Sequence, residues 1–294
     1  MLRQKVAIIT GASSGIGAAL ALLLAREGST VILCARRLHL LEELASKITK
    51  AGGVCSAFQC DVANRDDVER VVQKTVDRFE RLDILVNNAG RGHLASVEDT
   101  TDEMLYNMFA VNAFSLWYMT RPTVRQMKKQ GSGHIINVAS LAGKIGFPYN
   151  SAYVAAKHAC VGFTRALRLE LIETNIHASV VLPGGVSTDW ANVTEGGSMR
   201  SMFSAARPII RRIAAERGLT LPPIEGVKSP EEVARRILDC IYHPVAEVYT
   251  HTGSHEFAVL ATEKPENAEQ YQLPVVLGEH GVYDSIKNAQ QRHS

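Results

Sequence analysis

The chain has 294 residues, 46% of them hydrophobic, with 32 Lys and Arg against 30 Asp and Glu. That length supports one large core, and a net charge of +2 without a long basic run argues against a nucleic-acid surface or a polybasic membrane patch. Five scattered cysteines (Cys34, Cys55, Cys60, Cys160, Cys240) with no CxxC argue against a disulfide framework or a metal site, and no stretch approaches the roughly 18–20 apolar residues of a membrane span.

In chain order, "KVAIIT" (5–10) reads as a buried strand and 15–27 as an Ala- and Leu-rich helix. "STVILCA" (29–35) is the next strand, 38–50 a helix with Leu38, Leu41, Leu44, Ala45 and Ile48 on one face, and "VCSAFQC" (54–60) a third strand. Residues 65–80 place Val68, Val71, Val72, Val76 and Phe79 on one helical face, before the strand "LDILVNN" (82–88). A long helix at 101–129, a strand at 133–140, a helix at 151–173 and a strand at 176–183 follow, then a helix at 230–242 and the run "AEVYT" (246–250). Apolar strands alternating with helices predict a parallel sheet covered on both faces, with right-handed crossovers and a doubly wound topology. The N-terminus runs straight into its first strand with no signal-peptide pattern, so a cytoplasmic protein is expected.

"TGASSGIG" (10–17) lies between the first strand and the first helix. A turn there exposes backbone N–H groups at the positive end of a helix dipole, which suits a phosphate. Gly11, Gly15 and Gly17 permit tight turns and close approach, Ser13 and Ser14 add hydroxyls, and Ser14 is also placed to cap the helix. The spacing is GxxxGxG, and a purely structural turn is the alternative. Farther on, Tyr153 and Lys157 stand four positions apart, one above the other on a helix.

"TGASSGIG", then "NNAG" (87–90), then "YVAAK" (153–157) resemble, in order and spacing, the short-chain dehydrogenase/reductase family over roughly residues 4–250. The resemblance implies a Rossmann-type sheet of about seven parallel strands, order 3-2-1-4-5-6-7, and a nicotinamide cofactor. It divides the chain into a dinucleotide-binding catalytic domain (1–254) and a C-terminal extension (255–294). The extension is polar with one apolar island, "LPVVL", and is read as partly ordered.

The second strand ends "ILCARR", with Ala35 where an NAD-dependent relative usually carries Asp. Arg36, and also Arg37, suit a 2′-phosphate, so NADP(H) is expected over NAD(H); two solvated arginines are the alternative. The resemblance assigns Asp61 to the adenine amino group and Val62 to a backbone contact, whereas the sequence alone equally allows Asp61 as a helix cap. It places Ile16 in the phosphate loop, and Asn88, Ala89 and Gly90 along the cofactor cleft. Pro183, Gly184, Val186 and Thr188 are placed near the nicotinamide.

The resemblance makes Tyr153 the proton donor and acceptor, flanked by Ser140, Lys157 and Asn112, and counts Tyr153 and Lys157 among the cofactor-binding residues, with Lys157 bonding the nicotinamide ribose. A tyrosine of ordinary pKa near 10 is only about 0.1% phenolate at neutral pH, so a neighbouring cation such as Lys157 is expected to lower that pKa. Ser140 would bond the substrate oxygen, and Asn112, a polar amide in an apolar helix, would extend the proton route through a water. The expected enzyme exchanges a hydride between a nicotinamide and a small carbonyl or secondary alcohol. A catalytically silent dinucleotide-binding redox sensor is the alternative.

Residues 187–228, with a helix near 199–217, are read as a lid over the substrate. Trp190, Met199, Met202, Phe203, Ile209 and Ile210 suggest an apolar wall, completed by 91–97, 141–149 and 185–190. Arg200, Arg207, Arg211 and Arg212 either meet an acidic substrate or form a solvated helix face. Family members commonly form dimers or tetramers, and Trp117 and Phe163 on the two long helices fit a homodimer or homotetramer.

Overall fold

The computed structural model describes residues 2–188, 194, 199–224 and 226–291; within these, the side chains of 199–204, 285–287 and 289–291 are not described. Trp190 and the side chains of Met199, Arg200, Met202 and Phe203 therefore lie outside the described residues.

Seven strands form one sheet: β1 (Val6–Thr10), β2 (Thr30–Ala35), β3 (Val54–Gln59), β4 (Ile84–Asn87), β5 (Gly133–Val138), β6 (Ile176–Leu182) and β7 (Glu247–Tyr249). Their order is β3-β2-β1-β4-β5-β6-β7, every pair parallel. This is the doubly wound arrangement the alternation predicts.

The pleat sends alternate residues of each strand to opposite faces. From β1 and β2, Ala7, Ile9, Val31 and Leu33 pack with α1 (Gly15–Arg26), α2 (Leu38–Lys50) and α8 (Pro230–Tyr242). Val6, Ile8, Ile32 and Cys34 join the other layer, with α3 (Arg65–Phe79), α5 (Ser115–Gln130) and α6 (Ser151–Glu170). Burial on both faces explains why these strands read as unbroken apolar runs.

Two stretches depart from the sequence reading. The single helix expected over 101–129 is α4 (Asp102–Phe109), a π-helical turn at Ala110–Phe114, and α5. Periodicity does not distinguish a π turn from the α-helix it interrupts, because the wider turn takes up a single extra residue. The described part of the extension, 255–291, read as partly ordered, forms most of α9 (Ser254–Glu263) and all of α10 (Pro265–Gln291), and α10 packs on α7 (Met199–Arg217). Gly278 permits that contact, since a Cβ there would stand 2.5 Å from Ile210 Cγ1. Pro274 inside α10 and two glycines obscured the helix in the sequence.

No helix among the described residues is long and apolar enough to cross a membrane, and none of their His, Cys, Asp and Glu side chains group as a metal site.

The β5–β6 pairing holds a buried imidazole. His134 Nε2 and Ser179 Oγ are 2.9 Å apart, and Ser179 Oγ donates to Val245 O at 2.6 Å, so the ring N–H donates to Ser179 and His134 is the neutral Nε2–H form. Burial, reinforced by His177 and Arg168, lowers its pKa to about 3. A folded-state pKa below the unfolded value near 6.5 contributes stability that is complete above 6.5 and lost as pH falls towards 3. The loss is up to roughly 1.4 kcal/mol per pH unit across that window. Urea unfolding between pH 7 and pH 4 is expected to show a steeper loss for the natural chain than for His134→Asn; equal slopes would contradict this.

Candidate active site

β1 pairs with β2 on one side and β4 on the other, and the chain leaves β1 and β4 in opposite lateral directions. The crevice between their C-terminal ends is where an open α/β sheet binds ligands. Thr10 shapes it. Its buried hydroxyl accepts from the Asn88 and Ala89 backbone N–H groups at 2.9 and 3.0 Å and donates to Val86 O at 3.3 Å. Asn88 Nδ2 donates to Thr10 O at 2.9 Å.

The glycine loop lies directly against that corner. Gly11 takes a left-handed φ of +64°, and a Cβ there would stand 2.9 Å from Ala89 Cα. A Cβ on Gly17 would reach 2.5 Å from Gly11 O, so a larger residue at either position would wedge the loop away from α1 or β4.

Ser14 sits at the N-cap of α1, yet its side chain caps nothing, and the first turn carries no acidic residue. The Ser14 hydroxyl instead accepts from Arg37 Nη2 at 2.8 Å, and Ser13 accepts from the same nitrogen at 2.9 Å. The sequence reading made Arg36 the principal cation; the structure brings the Arg37 guanidinium to the loop, while the Arg36 carbonyl accepts from Gln59 Nε2 at 3.2 Å. Asp61 does not cap α3: Asn64 does, accepting from Asp66 and Asp67 N–H. Asp61 Oδ1 accepts from Ala63 N at 3.0 Å, closing a turn beyond β3, and Val62 is buried in the core.

Tyr153 and Lys157 lie on α6, both buried. The Ser140 hydroxyl is hydrogen-bonded to Tyr153, accepts from Ala142 N at 3.2 Å and lies 3.4 Å from Pro183 O. Lys157 Nζ stands 5.6 Å from the Tyr153 ring centroid and donates to Val138 O at 3.1 Å. Asn112 is in the π turn. Its Nδ2 donates to Arg91 O and Met108 O, both at 3.0 Å, and its Oδ1 accepts from Arg91 N at 3.3 Å. The three remote segments converge at Gly90, where a Cβ would stand 3.0 Å from Asn112 Oδ1 and 3.4 Å from Lys157 Nζ.

The loop after β6 completes the rim. Val186 bridges to Lys228, and a Cβ on Gly15 would stand 3.0 Å from Thr188 Cγ2, so residues 186–188 lie across the glycine loop. His251, which sequence reasoning missed, holds this segment. Its Nδ1 accepts from Gly184 N at 3.1 Å, and its Nε2 donates to Gly185 O at 2.9 Å. A lone histidine in "THTG" after the last strand carries no spacing signal; only the fold brings it to Gly184.

The short chain dehydrogenase family model matches residues 5–196. The chain belongs to the short chain dehydrogenase family. It is 34% identical over 258 residues to the 3-oxoacyl-[acyl-carrier-protein] reductase of Synechocystis, covering 85% of this chain and 94% of that one. Among solved structures, a variant of actinorhodin polyketide ketoreductase with NADPH matches at TM-score 0.74 and 33% identity, covering 85% and 97% of the two chains. A short chain dehydrogenase/reductase from Burkholderia phymatum in complex with NAD matches at 0.78 and 26%, covering 90% and 95%.

A nicotinamide dinucleotide fits this short chain dehydrogenase: the α1 N-terminus is left without a side-chain cap or a first-turn acid, beside a loop that glycines bring close to β4. One expectation is corrected. Burial pushes the Tyr153 phenol up, to about 12, although the Ser140 hydrogen bond opposes the shift. The Lys157 ammonium is itself lowered by the same burial, so its charge does not offset the desolvation of a phenolate.

Proposed function

We propose that this chain is an NADP(H)-dependent oxidoreductase that exchanges a hydride with a carbonyl or secondary alcohol, with Tyr153 as proton donor and acceptor. The observation that carries the reading is the Ser140–Tyr153 hydrogen bond set beside Lys157 and Asn112 around Gly90. Gly11, Ser13, Ser14, Gly15, Ile16 and Gly17 hold the pyrophosphate, and Asp61 and Val62 bound the adenine. Asn88, Ala89 and Gly90 line the cleft, and Pro183, Gly184, Val186 and Thr188 face the nicotinamide. The bound dinucleotide supplies or accepts the hydride.

The protein orients the carbonyl and manages one proton. With its pKa near 12, Tyr153 keeps its proton at neutral pH and gives it to the oxygen that becomes an alkoxide. Ser140 donates to the same oxygen as charge develops. Lys157 and Asn112 return a proton from behind. Reduction is the direction carried by relatives named as a 3-oxoacyl-[acyl-carrier-protein] reductase and a polyketide ketoreductase.

NADP(H) is favoured because the strand ends at Ala35 without a carboxylate and Arg37 reaches the loop, with Arg36 beside it. Exposed apolar side chains on the α4–α6 side, including Tyr106, Trp117, Leu169 and Ile172, support a homodimer or homotetramer.

Tyr153→Phe is expected to lower ketone-dependent NADPH oxidation at least about 100-fold while NADPH still binds. Substantial residual turnover would reject Tyr153 as donor, and NADPH binding without turnover by the natural chain would favour a redox sensor. Steady-state kinetics should give the higher kcat/KM with NADPH, and Arg37→Ala should reduce that value about tenfold with little effect on NADH. A higher natural value with NADH would overturn the preference. Light scattering should report a multiple of the 32.1 kDa chain; the mass of one chain would refute the oligomer.

A further inference from the structure

Two loops leave the site beside Gly90 and Ser140. One follows Gly90 after β4; the other, residues 141–150, joins Ser140 to α6 and therefore to Tyr153. The chain draws them together by Ala95 N donating to Tyr149 O at 3.0 Å. Tyr149 holds a left-handed φ of +58°, a conformation that costs a non-glycine residue about 1 kcal/mol or more and persists only where its surroundings impose it. It stands four residues before Tyr153, next to Asn150, the N-cap position of α6.

What imposes it is the C-terminal helix. The Tyr149 ring stacks on Tyr283 of α10, centroids 4.3 Å apart and planes 10° from parallel, and the Tyr149 hydroxyl is 2.7 Å from His280 Nδ1. The same Tyr283 grips the other loop: its hydroxyl accepts from Ser96 N at 2.9 Å and donates to Asp99 Oδ2 at 3.0 Å. Gln272, about three turns earlier on α10, donates to Gly146 O at 3.2 Å. Leu94, Tyr149, Ile209, Ile210, Val282 and Tyr283 form one apolar cluster joining the first loop, the second loop, α7 and α10.

The buried side of α10 carries little fixed charge. Glu279 lies there 2% exposed, and burial pushes its carboxyl up to about 8, so it is mainly neutral at pH 7. His280 and Asp284, an ion pair at 3.1 Å when the ring is protonated, stay on the exposed edge.

We propose that α10 is the outer wall of the substrate cleft, with Tyr283 as a positioning residue that clamps both substrate loops and limits the bulk of an apolar group carried by the carbonyl substrate. The proposal rests on the reading of Tyr153 as the proton donor. The contacts of Tyr283 described above run to Ser96, Asp99, Tyr149 and the apolar cluster with α7, so loosening it moves substrate recognition and leaves the dinucleotide site in place. A residue that only held the fold together would weaken both.

The test compares Tyr283→Ala and Tyr283→Phe with the natural chain, using a small methyl ketone and a bulky aryl ketone. For Tyr283→Ala, the ratio of kcat/KM for the bulky over the small ketone should rise about threefold or more, with a higher KM for the small one. Tyr283→Phe keeps the ring stack and loses the hydroxyl, so its ratio should fall between. The NADPH Kd, read by fluorescence, should stay within about twofold, and amide exchange over 144–150 should quicken in Tyr283→Ala. An unchanged ratio in an active enzyme overturns the wall, as does an NADPH Kd that weakens in parallel. If Tyr283→Ala does not fold, Tyr283→Phe decides by the same ratio. A natural chain that binds NADPH but reduces neither ketone, nor others in a wider panel, overturns the proton-donor reading itself.

Discussion

The site depends on one buried hydroxyl. Thr10 is the last residue of β1, at the point where strand order reverses, and its oxygen takes two N–H groups from the turn after β4 while its hydrogen goes to Val86 O. All its hydrogen-bonding capacity is used within the protein, so it stays dry at no cost in unsatisfied groups. The clasp sets the distance between the glycine loop and the Asn88–Gly90 turn, and both the dinucleotide crevice and the convergence at Gly90 follow from it.

A second polar chain places Tyr153 and Lys157 on that frame. Asn87 Nδ2 donates to Asn137 Oδ1 at 2.8 Å, Asn137 Nδ2 donates to Thr164 Oγ1 at 2.8 Å, and Thr164 Oγ1 donates to Cys160 O at 2.8 Å. It runs from β4 through β5 into α6, all of it buried. Apolar packing alone would tolerate a helix slipping slightly along the sheet, whereas directional bonds in a low dielectric do not. The helix bearing Tyr153 and Lys157 is thereby indexed to the strands that lead into Asn88 and Ser140.

What could be read in the sequence was whatever lay close along it. Strands buried on both faces announce themselves as apolar runs, and β1–α1 with its glycine loop is contiguous. The Tyr153–Lys157 pair is one helical turn. Contacts set by the fold were hidden. His251 reaches Gly184 across 67 positions, and Tyr283 reaches Ser96 across 187. The choice of Arg37 over Arg36 as the side chain meeting Ser13 and Ser14 depends on where α2 begins its first turn, which residue type alone does not decide. The upward shift of Tyr153 was misjudged for a related reason: adjacency to a cation is visible in sequence, but the depth at which both groups are buried is not.

The π turn at Ala110–Phe114 gives the site a sensitivity to residue count. Each of its rings closes over one residue more than an α-helical ring, so the turn acts as an inserted residue absorbed without leaving the helix. Removing one residue there would close the wide ring into an α-helical one, leaving α4 and α5 nearly in place but abolishing the turn that carries Asn112. Asn112 would swing off Gly90 although no side chain near it had changed. Along this segment, length is as much a determinant of where Asn112 lies as the identity of the amide, and a chain that kept every motif but dropped one residue between 110 and 114 would lose the contact with Gly90.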